Sequence, residues 1–210
     1  MTRSSLVVAL ALALVAGAVA PARAGAPTDQ VREYTDAVIK VLEDPALKAE
    51  DKKPERRAAV RKIATEVFDV QETARRALGP HWQQRTPQQR EEFVQLFAEL
   101  LEQTYISKID LFGGERLRFT EERVDGDNAI VRAKVTTRQQ TEVPVEARLL
   151  RKTDRWLIYD ILIENISLIG NYRAQFDRII RTSSYEDLVK RLRSRGELLK
   201  ESERPRRTER

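Results

Sequence analysis

Apolar positions along this chain recur first at helical spacing, then at strand spacing, then at helical spacing again. In "TDQVREYTDAVIKVLE" (28–43) Val31, Tyr34, Val38, Val41 and Leu42 share one helical face. "DPALKAEDKKPE" breaks the pattern with two prolines. A second helix then starts near Glu55, with Val60, Ile63, Ala64 and Val67 turned inward. "DVQETARRALGPHW" adds a short helix stopped at Gly79-Pro80. Thr86-Pro87-Gln88-Gln89 carries the clearest local signal. Thr86 suits the N-cap, Pro87 the first helical turn, and Gln89 the third position of a capping box. Phe93, Leu96, Phe97, Leu100, Leu101, Thr104 or Tyr105, and Ile109 follow at helical spacing, so the pattern predicts one long helix of about 24 residues ending at Gly113-Gly114.

Alternation with period two then takes over. Leu117 and Phe119 alternate with charged neighbours, and "DGDN" (125–128) makes a turn. Val131, Ala133 and Val135 oppose Arg132 and Lys134. Val143, Val145, Ala147 and Leu149 oppose Glu146 and Arg148, and "KTDR" (152–155) turns into a strand at 156–163. Two helices at about 170–181 and 184–200 close the chain, and "ESERPRRTER" (201–210) reads as a disordered basic tail. The order predicts an α+β domain over 25–200, its helices wrapped around one face of a four-stranded antiparallel sheet. The charged alternation leaves the other sheet face wet. Only the 156–163 strand is apolar on both faces, apart from Asp160.

Residues 1–24 change the picture of where the chain resides. Arg3, the uncharged run "LVVALALALVAGAVA" (6–20) and small residues at Ala22 and Ala24 have the order of a secretory signal peptide cleaved after Ala24. The run is shorter than the roughly 20 residues that span a bilayer. Export to a periplasm is the expectation, which argues against a nucleic-acid partner. Without cysteine, disulfides, thiolate metal sites and thiol nucleophiles are excluded. Loss of Arg3 and Arg23 lowers the net charge from +5 to +3, and 173–210 alone carries +5. Such a basic end suits anionic headgroups or an acidic protein partner, or simply a solvated face.

Candidate chemistry is sparse. His81 is the lone histidine, so no histidine metal site or triad with a second histidine is available, and beside Trp82 it reads as a packing or capping residue. Asp160 with Tyr159 is the one candidate acid/base pair. Adjacent strand residues point to opposite faces, so the two share a cavity only if a bulge intervenes. Asn171 reads as a helix cap and Arg173 as an ion-pair partner for Asp160 or Glu164. No catalytic residue, metal site or cofactor is assigned.

"ARRALGPHW", "TPQQREEFVQLFAELLEQTY", "FGGE", "WLIYDILIENISLIGNYRAQF" and "YEDLVKRL" stand in the order and spacing of the Mla-type periplasmic phospholipid-binding proteins, also called the toluene-tolerance family. Over nearly all of 28–192 the chain resembles that family. It departs at Asn165, where a glycine is usual, and at Thr182-Ser183-Ser184. The resemblance implies a cone-like fold with an apolar cavity for acyl chains. It also implies a non-enzymatic carrier of phospholipid between an outer-membrane lipoprotein complex and an inner-membrane ABC transporter complex, which maintains outer-membrane lipid asymmetry. Alternatives are another apolar cargo such as a hopanoid, an enzyme on a cone-shaped scaffold using Asp160, or an adaptor that carries nothing. The expected lipid-binding wall is Phe93, Phe97, Leu100, Leu101, Tyr105, Val131, Val145, Leu149, Tyr159, Ile161, Ile163 and Ile166. Periodicity is silent on whether these faces interlock or enclose space.

Overall fold

A computed structural model describes residues 26–137 and 139–202. Residues 1–25, which include the expected signal peptide at 1–24, and 203–210 of the expected tail at 201–210 lie outside the described residues. Among the described residues there are six α-helices and one sheet: α1 (Pro27–Glu43), α2 (Lys53–Val67), α3 (Val70–Leu78), α4 (Pro87–Tyr105), β1 (Arg116–Asp125), β2 (Asn128–Thr136), β3 (Glu142–Lys152), β4 (Arg155–Ile163), β5 (Ile166–Ser167), α5 (Leu168–Thr182) and α6 (Tyr185–Ser202). The sheet is an antiparallel meander in the order β1-β2-β3-β4-β5.

It has five strands rather than four. The extra strand, β5, has two residues, and its pattern is too short to read as alternation. It exists because Glu164 and Asn165 both take positive φ, +50° and +65°, and fold Ile166 back onto Ile163. A two-residue hairpin turn of type I′ requires that backbone at both positions, and asparagine tolerates it better than most residues.

Local chemistry places the helix ends. Thr86 and Gln89 form the reciprocal capping box at α4, with Gln89 N–H donating to Thr86 Oγ1 at 3.2 Å and Thr86 N–H to Gln89 Oε1 at 3.0 Å. The α-helix stops at Tyr105, earlier than its apolar period. Residues Ile106–Leu111 tighten into a 3₁₀ segment, which Asp110 binds to Arg56 (2.5 Å) and Arg57 (2.8 Å) of α2. Ser167, not Asn171, caps α5: its Oγ accepts from Gly170 N–H at 2.7 Å and donates to Asp160 at 2.6 Å.

The helices form two separate layers. In one, α3 to α6 bury a compact core around Phe93, Phe97, Leu100, Phe176 and Leu188. Phe97 meets Phe176 edge-on at 5.4 Å and Tyr172 at 5.1 Å, geometries that suit aromatic quadrupoles. His81 joins this layer, its Nε2 2.8 Å from Asp177 of α5. Gly79 adopts φ +57° where the stem of Arg173 would lie 3.0 Å from a Cβ, so Arg173 packs there instead of pairing with Asp160. The other layer, α1 and α2, faces the sheet through a second cluster that includes Val67, Val131, Leu149, Trp156 and Ile158.

Opposite α1 and α2, the outer face of β1–β3 is charged and wet. Arg132 bridges Glu121 (2.7 Å) and Glu146 (2.9 Å), Arg148 meets Glu146 at 3.0 Å, and Glu142 joins Lys134 and Arg118. Among the described residues no helix is long and apolar enough to cross a membrane.

Candidate ligand-binding cavity

Between α1, α2 and the inner face of the sheet lies a cavity of about 410 Å³. One wall is the helical stripe of α1, namely Val31, Tyr34, Thr35, Val38, Ile39 and Leu42, continued by Ile63 and Val67 of α2 and by Phe68. The opposite wall comes from alternate strand residues: Leu117 and Phe119 of β1, Val131, Ala133 and Val135 of β2, and Val145 and Ala147 of β3. Phe112 stands beside them.

A bulge brings β4 into this wall. Arg148 pairs with Asp160 but Leu149 pairs with Ile158, so Tyr159 is an extra residue. The phase shift turns both Ile158 and Ile161 to the cavity although they are three apart. It also sends both Tyr159 and Asp160 to the other side. There the Arg76 guanidinium lies 3.8 Å from the Tyr159 ring centre, and Asp160 accepts Ile169 N–H at 3.1 Å as well as the Ser167 hydroxyl. The carboxylate thus supports the N-terminus of α5, where the helix dipole favours negative charge, and it is 6% exposed.

Hydrogen bonds close one end. Thr28 N–H donates to Glu122 (2.8 Å), Trp156 N–H donates to Gln30 (2.7 Å), and Arg32 covers the Phe119 ring at 4.6 Å. Trp156, Leu149 and Ala129 pack solidly beneath them. At the other end, toward Leu42, Val135 and Phe112, the charged residues Glu115 and Arg116 border the cavity, and Glu146, level with Arg132 at mid-sheet, borders it too. Burial opposes the charge of Glu146, but the Arg148 and Arg132 guanidiniums outweigh it and hold its carboxyl below the usual range.

Of the twelve residues expected at the wall, Val131, Val145 and Ile161 line this cavity. Phe93, Phe97 and Leu100 lie in the α3–α6 core, and Leu101 packs against it. Leu149 belongs to the packed closed end, and Tyr159 sits beneath Arg76. Tyr105, Ile163 and Ile166 are exposed at the surface. The α1 stripe and the pair Leu117 and Phe119 stand out in the sequence as apolar faces. Nothing in their spacing says that these, rather than the Phe93 helix, oppose the sheet.

The geometry is an apolar pocket of the size that holds small apolar ligands, roughly 300–1,000 Å³. Among the described residues no group of acidic or histidine side chains is arranged to hold a metal ion. The family model described as "MlaC protein" matches residues 32–194. This chain belongs to the MlaC family. Over 141 residues, 65% of the chain and 66% of the relative, it is 22% identical to a protein of Haemophilus influenzae named intermembrane phospholipid transport system binding protein MlaC. The chain spans just under two thirds of that relative. A phospholipid-binding protein from Ralstonia solanacearum, solved in complex with a phospholipid, shares the fold at TM-score 0.71 and 24% identity, covering 83% of this chain and 98% of that one. Membership thus joins the apolar cavity to a family whose fold is also that of a phospholipid-binding protein.

Proposed function

We propose that this MlaC-family chain is a non-enzymatic lipid carrier that holds phospholipid acyl chains between α1, α2 and the sheet. One observation carries the reading: a cavity of about 410 Å³ walled almost entirely by apolar side chains, with Glu115, Arg116 and Glu146 the charged residues at its border. Each shielded methylene is worth roughly 0.8 kcal/mol, so a 16-carbon chain represents on the order of 12 kcal/mol. A carrier crossing water must enclose that chain and can leave the headgroup wet. The leader at 1–24 supports a periplasmic location, with phospholipid passing between an inner-membrane ABC transporter complex and an outer-membrane lipoprotein complex to maintain outer-membrane asymmetry. The engagement of Asp160 and Tyr159 by Ser167, Ile169 and Arg76 favours a structural role for both over acid–base chemistry.

The test is lipid uptake by purified, delipidated protein from vesicles containing fluorescent phosphatidylethanolamine, with the extract identified by mass spectrometry. Stoichiometric uptake is expected. Absence of uptake, together with no lipid in the protein purified from bacteria, overturns the carrier reading.

A further inference from the structure

α3 and α5 pack side by side, and between them they hold five arginines, no lysine and two acids, a net charge of +3. Internal pairing does not absorb this charge. Glu72 alone binds both Arg75 (2.6 Å) and Arg76 (2.7 Å), and Asp177 divides itself between Arg181 (3.0 Å) and His81. Arg173 and Arg178 are exposed and meet no acidic side chain among the described residues. α1, in the other helical layer, has two basic and four acidic residues, a net charge of −2. The molecule thus has a guanidinium-rich side and an acidic side, which orients it in front of an anionic surface.

The edge of the sheet next to α5 is apolar and uncovered. Phe119, Ala133 and Val145 of the cavity wall stand opposite one another across β1, β2 and β3. The same row continues outward to Ile163 and then Ile166, which are 53% and 67% exposed. Both flank the Glu164-Asn165 turn, and α5 begins two residues beyond Ile166. Two isoleucines on a two-residue turn are too narrow for a stable protein interface, which buries ~800 Å² per partner. Aliphatic side chains protruding beside basic residues are instead the pattern of a surface that rests on lipid headgroups, and the guanidinium fork fits phosphate oxygens. We infer that the β4–β5 hairpin and the arginines of α3 and α5 form a docking face for an anionic phospholipid surface, with Ile163 and Ile166 seated between headgroups and Arg173 and Arg178 on lipid phosphates.

Flotation of the purified chain with vesicles tests this. One set is phosphatidylethanolamine with about a quarter phosphatidylglycerol, a strongly anionic surface, and the other is phosphatidylcholine alone. Wild type is expected to float with the first set, to do so less as salt screens the arginines, and to ignore the second. Each basic residue near such a surface is worth about fivefold in binding. Arg173→Gln combined with Arg178→Gln should therefore weaken it roughly 25-fold, and Arg178→Gln alone about fivefold. Ile163→Ser with Ile166→Ser should weaken it roughly tenfold, while Arg132→Ala on the outer sheet face binds as wild type. Unchanged melting temperatures verify that the variants fold. Absence of flotation, equal binding to both vesicle sets, or wild-type binding by the arginine and isoleucine variants overturns the face. So does retention of wild type on immobilised polyglutamate, lost in the double arginine variant, without any vesicle binding, because the partner is then an acidic protein. Flotation requires no lipid uptake: vesicle binding without uptake ends the carrier reading and leaves this face standing, and uptake without vesicle binding does the reverse.

Discussion

Val145 sits at the middle of the cavity wall, paired across the sheet with Ala133 and Ile163. Replacing it by tryptophan adds about seven heavy atoms, on the order of 90 Å³ at interior packing density. That is the space of ~3 methylenes of a bound chain. At ~0.8 kcal/mol each the loss is on the order of 2–3 kcal/mol, a 10- to 10²-fold weaker affinity. The cavity absorbs the indole without overpacking the closed end at Trp156 and Leu149, so stability should change far less than affinity. Titration with fluorescent phospholipid measures the affinity, and thermal denaturation followed by circular dichroism measures the fold. The outer-face variant Arg132→Ala serves as the control with wild-type binding. If Val145→Trp folds and binds lipid as wild type does, the space between α1 and the sheet is not where the chain resides.

Three further outcomes follow from the same structure. Phe97→Ala, in the α3–α6 core and fully buried, should cost about 3–5 kcal/mol of stability in urea denaturation while lipid affinity in the folded protein changes little; a selective loss of affinity would contradict the two-layer division. Asp110→Asn leaves Arg56 and Arg57 of α2 without their counter-charge and should destabilise by roughly 2–3 kcal/mol, or about 4–12 °C in Tm for a chain of this size. Burial opposes the charge of Asp110, but Arg56 and Arg57 outweigh it and hold the carboxyl below its ordinary value. Its stabilisation is therefore complete above the unfolded-state pKa of about 4 and lost as pH falls through the lower folded value, so wild type and Asp110→Asn should converge in stability under acid. Burial pushes Tyr185 up to about 12, helped by Glu92. The unfolded chain then loses that proton first, and stability should fall between pH 10 and pH 12, less steeply in Tyr185→Phe; equal slopes would refute the shift.

Much of the fold is legible along the chain because its signals are local. The Thr86 capping box, the prolines and the paired turns at 125–128 and 152–155 act within a few residues of where they stand. Alternation correctly separates the cavity face of β2 and β3 from the charged outer face, since strand side chains alternate whatever lies beyond them. β5 escapes that reading because it depends on two consecutive positive φ angles, which no hydrophobic pattern records.

The cavity is different in kind. The α1 stripe and the Phe93 stripe look alike in sequence, both being apolar faces at helical spacing. Tertiary structure decides that Phe93 and Phe97 interlock with Phe176 while Val31, Val38 and Leu42 stand off from the sheet. It also decides, through one extra residue at Tyr159, which side chains of β4 join the wall and which support α5. Sequence by itself determined the elements other than β5 and the 3₁₀ end of α4, their exposed and apolar faces and the family resemblance. Only the packing of distant segments settled where apolar faces touch and where they leave room, because burial patterns record that a side chain avoids water and carry no information about the distance to its neighbour.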